Sequence, residues 1–210
     1  MIFDDISLAL QKGRKKDVEA LVQKAIDEKQ PVTDILNKGL LAGMDIVGEK
    51  FKNNELYVPD VLVAARAMNA GTTLIKPLLA EAGVESIGKV VIGTVLGDLH
   101  DIGKNLVKMM MEGKGFEVID LGVNVSAEQF VQGAIDNNAS IIACSALLTT
   151  TMGEMANVVK VATEKGVRDK LTIMVGGAPV NESYKKSIGA DIYTPDAASA
   201  AEQAAKTVKH

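Results

Sequence analysis

The chain has 210 residues, 47% hydrophobic and 24% charged, a balance that excludes disordered and fibrous classes and allows one large or two small globular domains. Its net charge of −4 is evenly spread, residues 1–88 holding 11 Lys/Arg against 13 Asp/Glu and residues 89–210 holding 12 against 14. Without a basic segment or any Trp, and with 3% aromatic residues, the chain lacks the phosphate contacts and stacking platforms of a nucleic-acid binder. One cysteine builds neither a disulfide framework nor a thiolate metal site. With no secretory leader pattern and no apolar run of about 18 residues, the expectation is a reducing cytoplasm away from membranes.

From Asp4 to about Glu81 apolar residues recur at helical spacing. Val18, Leu21, Val22, Ala25 and Ile26 form one stripe, Leu36, Leu40, Met44, Val47 and Phe51 a second, and Leu62, Ala65, Met68, Thr72, Ile75 and Leu79 a third. Pro31 and Pro59 stand where they open the third and fourth helices, because a proline at a helix start loses no needed N–H, and Pro77 is expected to kink or end the fourth. Counting a short first helix, the brief connections Lys29-Gln30 and Asn53-Asn54-Glu55 predict a four-helix bundle over residues 1–84.

After Gly83 the period changes. Short β-branched runs at Lys89–Val95, Glu117–Leu121, Ser140–Ser145, Leu171–Val175 and Asp191–Tyr193 are each followed by a helix-like stretch. That alternation predicts a five-stranded, parallel, doubly wound, Rossmann-like α/β domain over residues 85–210, with the polar stretch Glu85–Gly88 as its linker. The Ala/Ser-rich tail from Ala197 to Ala205 reads as an edge helix.

In such sheets ligands sit beyond the carboxyl ends of the strands. The first loop there, Gly97-Asp98-Leu99-His100-Asp101-Ile102-Gly103, lacks both the Gly-x-Gly-x-x-Gly spacing of dinucleotide sites and the Gly-Lys-Ser/Thr ending of a P-loop. It offers a histidine with a carboxylate two residues earlier, the partner that a metal-ligating imidazole needs on its other nitrogen. Asp98 and Asp101 are also suited to capping a helix, leaving His100 a plain loop residue. The other histidine, His210, is the last residue, and Cys144 reads as a buried strand residue. One histidine is too few for a closed protein site, so a metal on His100 would bring its remaining ligands in a macrocycle. The third strand ends in the hydroxyl-rich Ser145-Ala146-Leu147-Leu148-Thr149-Thr150-Thr151, and the fourth in Gly176-Gly177, where missing side chains let a bulky group lie against the backbone. Read separately, these are a helix cap and a turn.

Together these residues resemble the cobalamin-binding family, in particular the corrinoid proteins of methyltransferase systems and the corresponding module of methionine synthase. Asp98-Leu99-His100-Asp101-Ile102-Gly103 is similar to the family's Asp-x-His-x-x-Gly, Ser145-Ala146-Leu147 to its Ser-x-Leu, and Gly176-Gly177 to its glycine pair. The resemblance covers nearly the whole chain, since the family also carries a four-helix cap. It implies a cobamide held base-off and His-on, with His100 on cobalt, and Asp98 and Thr151 completing a relay that adjusts proton content as cobalt cycles. It implies a slot for the displaced nucleotide tail, lined by Gly103, Ser145, Leu147, Thr149, Gly176 and Gly177 beside Asp101. It places Phe51 and Val58 over the methyl group, Val58 departing from the family's leucine; periodicity alone makes both plain bundle core. The implied role is a methyl carrier in one-carbon metabolism, the corrinoid subunit of a multi-component methyltransferase. It would accept from a substrate-specific methyltransferase and donate to an acceptor methyltransferase, with a corrinoid-reactivating protein as a third partner. A cobalamin-dependent mutase subunit, a cobalamin-sensing regulator and a flavodoxin-like flavin protein are the competing readings. The methyl donor (methanol, a methylamine or an aromatic methyl ether) is not written in these residues.

Overall fold

The computed structural model describes residues 1–208, so His210 lies outside the described residues. Two compact units form: one of Met1–Ser86 with the turn Gly113–Gly115, the other of Ile87–Glu112 and the residues from Phe116 onward.

In the first unit, α1 (Ile2–Gln11) and α2 (Lys15–Asp27) are followed by a run that begins as α3 (Val32–Asp34), continues as a π-helical turn over Ile35–Leu41 and ends as α4 (Ala42–Lys52). α5 (Val58–Glu81) closes the unit and packs chiefly on α2. Pro31 precedes α3 and Pro59 lies in the first turn of α5, where the Asp60 carboxylate accepts the Tyr57 N–H at 2.9 Å.

The first helix, with ten residues, is shorter than α2, α4 and α5. Two expectations change here. Pro77 does not end α5, which runs on to Glu81; one missing N–H removes a single ladder bond, and the neighbouring turns carry the helix past it. The second stripe begins at Ile35, not Leu36: the π turn pairs residues five apart, so Ile35 and Leu40 are the fully buried pair while Leu36 is only half-buried. Gly71 of α5 lets this core close, because a Cβ there would stand 2.8 Å from the Leu40 side chain and 3.0 Å from Val18.

The second unit carries β1 (Lys89–Thr94), β2 (Glu117–Asp120), β3 (Ile141–Ser145), β4 (Thr172–Gly176) and β5 (Ile192–Tyr193). All neighbours pair parallel, in the order β2-β1-β3-β4-β5, with Val91, Ile142 and Ile173 in register across the centre. Between them run α6 (Ile102–Gly113), α7 (Ala127–Asp136), α8 (Glu154–Glu164) and α9 (Glu182–Ile188), and α10 (Ala197–Val208) follows β5. One face of the sheet packs Val91, Ile142 and Ile173 with Phe130 of α7 and Met155 of α8. The alternate residues Val90, Ile92, Ile141 and Met174 are buried too, so both faces are covered, which is why these strands read as continuous apolar runs. Cys144 is buried within β3, as expected, and burial pushes its thiol up.

Candidate functional site

The strand order reverses between β1 and β3, which opens a crevice at their carboxyl ends, and the loops after β1 and β3 meet there. The meeting point is the Asp98 carboxylate, which is fully buried. Its Oδ1 accepts the backbone N–H of His100 at 3.1 Å and faces His100 Nδ1 at 2.7 Å. Its Oδ2 accepts from the backbone N–H groups of Leu147 at 2.8 Å and Leu148 at 3.3 Å, and from the Thr151 hydroxyl at 2.8 Å.

Burial by itself pushes the Asp98 carboxyl up. The backbone N–H groups of His100 and Leu147, then the His100 ring and the Thr151 hydroxyl, outweigh burial and hold it well below the usual carboxylate range. Asp98 is therefore an ionised, acceptor-only partner, and the bond to His100 requires the proton on Nδ1. The neutral ring then carries its lone pair on Nε2. With 52% of the side chain exposed, the ring is open to a ligand from solvent.

The structure thus brings together His100, Asp98 and Thr151 and, through its backbone, Leu147, which the sequence separates by up to 53 positions. Asp98 spends both oxygens on these partners rather than capping a helix. Asp101 stands immediately before α6, its carbonyl accepting the Asn105 N–H at 2.8 Å and its carboxylate the Asn105 side chain at 3.1 Å. Ser145 ends β3 half-buried, and Thr149 is exposed in the following loop.

The glycines divide into two kinds. A Cβ on Gly103 or Gly176 would meet nothing within 4 Å, so each borders empty space. Gly177 differs: its φ is +129°, and a Cβ would fall 1.8 Å from the Ala146 carbonyl oxygen. Its missing side chain makes room for the protein's own backbone, so the fold itself requires glycine at this position. Phe51, near the end of α4, and Val58, the first residue of α5, are both half-buried in the helical unit and outside its fully buried core.

Sequence reasoning missed several participants. Leu148 adds a backbone donor to Asp98. Thr94 and Asn124 bond the backbone of the His100 loop. Lys104, only 3% exposed, holds both oxygens of Asp120 at 2.6 and 2.7 Å. Burial raises the Asp120 carboxyl, but the Lys104 bond, the Gly122 N–H and the charges of Lys104 and Lys108 bring it below its ordinary value. A polar residue breaking an apolar strand, such as Thr94 after Val90-Val91-Ile92-Gly93, was the available signal. Around His100, Leu99 (71% exposed), Ile102 (74%), Leu147 and Leu148 present an apolar rim of a kind that marks a ligand or partner surface.

Among the described residues no three His, Cys, Asp or Glu side chains could hold a metal ion by themselves. One neutral imidazole with its lone pair on Nε2, an apolar rim and two glycines open to empty space fit a large flat cofactor that brings its own metal and needs a single axial nitrogen.

Comparison with known proteins gives first the class. A B12 binding domain family matches residues 88–205, and a second family of the same description matches residues 2–76, so the chain is a member of the B12-binding proteins. More narrowly, it belongs to the corrinoid proteins of methyltransferase systems. It is 40% identical to a corrinoid protein of Desulfitobacterium hafniense (strain Y51) over 208 residues, 98% of this chain and 96% of that one. It is 41% identical to the dimethylamine corrinoid protein of Methanosarcina barkeri over 204 residues, 97% of this chain and 95% of that one. Among solved structures, the methanol:cobalamin methyltransferase complex of Methanosarcina barkeri contains a chain matched with a TM-score of 0.89 and 29% identity, over 99% of this chain and 79% of that one. A cobalamin-binding protein of Desulfitobacterium hafniense DCB-2 matches with a TM-score of 0.81 and 29% identity, over 99% and 98%. Among the described residues no helix is long and apolar enough to cross a membrane.

Proposed function

We propose that this protein carries a methyl group on a bound cobamide from a substrate-specific methyltransferase to an acceptor methyltransferase. The observation that carries the reading is the His100 ring, held through Nδ1 by a buried, ionised Asp98 so that Nε2 is the ligating atom. When bound, the cobamide supplies the methyl chemistry at its cobalt, and the protein supplies ligation, orientation and protons.

His100 Nε2 would hold the cobalt in the base-off, His-on arrangement. Asp98 keeps the Nδ1 proton on the ring and fixes its orientation, and Thr151 steadies the Asp98 oxygen that the ring does not use. His100, Asp98 and Thr151 thus form one hydrogen-bonded chain, the relay through which this reading routes a proton. Gly103, Ser145, Leu147, Thr149, Gly176 and Gly177 would border the displaced tail, with Asp101 at the start of α6. Phe51 and Val58 are assigned to the methyl face by the family resemblance alone. The reading includes a corrinoid-reactivating protein as a partner and a cytoplasmic location.

The test is reconstitution of the full chain with a cobamide, followed by spin resonance of the Co(II) form. Nitrogen hyperfine splitting in the wild type and its loss in His100→Ala are expected. Failure to take up cobamide, uptake of a flavin instead, or unchanged splitting in His100→Ala would overturn the proposal.

A further inference from the structure

We propose that Thr94 and Asn124, neither of which belongs to the Asp-x-His-x-x-Gly motif, are positioning residues that hold the His100 loop in its ligating shape before any cofactor arrives. The inference rests on the reading of His100 as the axial ligand. The loop leaves β1 at Thr94 and enters α6 at Ile102, and its backbone polar groups are held from outside the motif at three places.

Thr94 is fully buried, and its hydroxyl donates to the His100 carbonyl oxygen at 2.8 Å. A buried hydroxyl without a partner is costly, so this single proton ties the end of β1 to the residue that carries the ligand. Asn124 comes from the loop after β2. Its φ is +57°, a left-handed conformation that asparagine adopts more readily than most side chains do. There its N–H donates to the Asp98 carbonyl at 3.0 Å while its Oδ1 accepts the Gly97 N–H at 2.8 Å. One residue therefore grips both sides of the Gly97–Asp98 segment. The grip has a chemical purpose. Asp98 reaches His100 Nδ1, Leu147 and Thr151 only from this backbone position, and a ligand whose rotamer and tautomer are already selected binds without the ordering cost that a mobile loop would carry.

Two variants remove one bond each: Asn124→Gly lacks Oδ1 but accepts the left-handed φ without strain, and Thr94→Val keeps the shape but lacks the hydroxyl. The measurement is the pair of ring 15N shifts of His100 in the cofactor-free full-length chain, assigned with His210→Ala since the sequence has only two histidines. The wild type is expected to show Nδ1 protonated and Nε2 bare. Both variants should shift toward the averaged pattern of a free imidazole, and Asn124→Asp and Thr94→Ser, which restore the acceptor and the hydroxyl, should recover the wild-type shifts. Cobamide-loaded variants should retain cofactor while losing part of the nitrogen-split Co(II) signal. Wild-type ring shifts in Asn124→Gly and Thr94→Val, shifts that the restoring variants do not recover, or loss of cooperative melting would each overturn the proposal, the last because the two residues would then be holding the fold rather than the loop. The ring measurement needs no cofactor, so a wild type that shows the expected shifts but takes up no cobamide refutes the functional reading and leaves the positioning result standing.

Discussion

The helical unit and the strand-end loops bury different chemistry. Inside the helices the enclosed side chains are Ile6, Leu10, Val18, Val22, Ile35, Leu40, Val47, Val61 and Ile75, with Ser7 the buried polar residue among those described. At and beside the carboxyl ends of the strands lie Thr94, Asp98, Lys104 and Thr151, polar or charged and all buried. An apolar interior depends on volume, and one residue can be exchanged for another of similar size at modest loss. A buried carboxylate depends on every donor around it, because each lost partner leaves a charge without compensation. The first region therefore sets stability in graded steps, while the second is specified residue by residue.

The largest single loss is expected for Gly177→Ala. The new methyl would collide with the Ala146 carbonyl at a φ of +129°, so we expect a loss above about 4 kcal/mol in urea unfolding, at the exceptional end for one substitution. A well-folded Gly177→Ala would mean that the loop after β4 is softer than the strand-end geometry requires. Leu40→Ala tests the graded side: removing a fully buried leucine should lower unfolding free energy by about 3–5 kcal/mol while leaving the shape of the acid-unfolding curve unchanged.

Asp120→Asn sharpens the polar side. It leaves the buried Lys104 ammonium without its counter-charge, and we expect a loss of about 3 kcal/mol at neutral pH. The Asp120 carboxyl lies below its ordinary value of 3.8, so its contribution is complete above that value and disappears as pH falls through the lowered folded value. Wild-type stability should therefore fall below about pH 4 more steeply than that of Asp120→Asn. Parallel acid curves for the two proteins would show that the ion pair contributes nothing to the pH response. The smallest structural effect is expected for Gly176→Ala, which meets only empty space: unfolding free energy should change by no more than about 0.5 kcal/mol. The same variant should retain less cobamide on gel filtration after reconstitution. Full retention would place the nucleotide tail elsewhere.

Much of this was legible before folding. All five strands begin within a residue of their expected starts, because a sheet buried on both faces writes itself as unbroken apolar runs. Asp98 and His100 were legible as a pair since they lie two positions apart. Thr151 was legible only through family resemblance, as nothing local links it to a carboxylate 53 positions away. The shift of the buried stripe from Leu36 to Ile35 was hidden, because a π turn leaves the same residue types in the same order.

Periodicity and local spacing thus determined the succession of helices and strands, the change of class after Gly83 and the presence of one well-partnered histidine, since each depends on neighbours within a turn or a strand. Which donors surround Asp98, which of two adjacent glycines faces the protein and which faces open space, and how Thr94 and Asn124 reach the His100 loop were decided by tertiary structure. Those relations depend on the pairing of β1 with both β2 and β3, which brings separate loops to one end of the sheet, and no local pattern encodes a distance between segments that meet only when the sheet has formed.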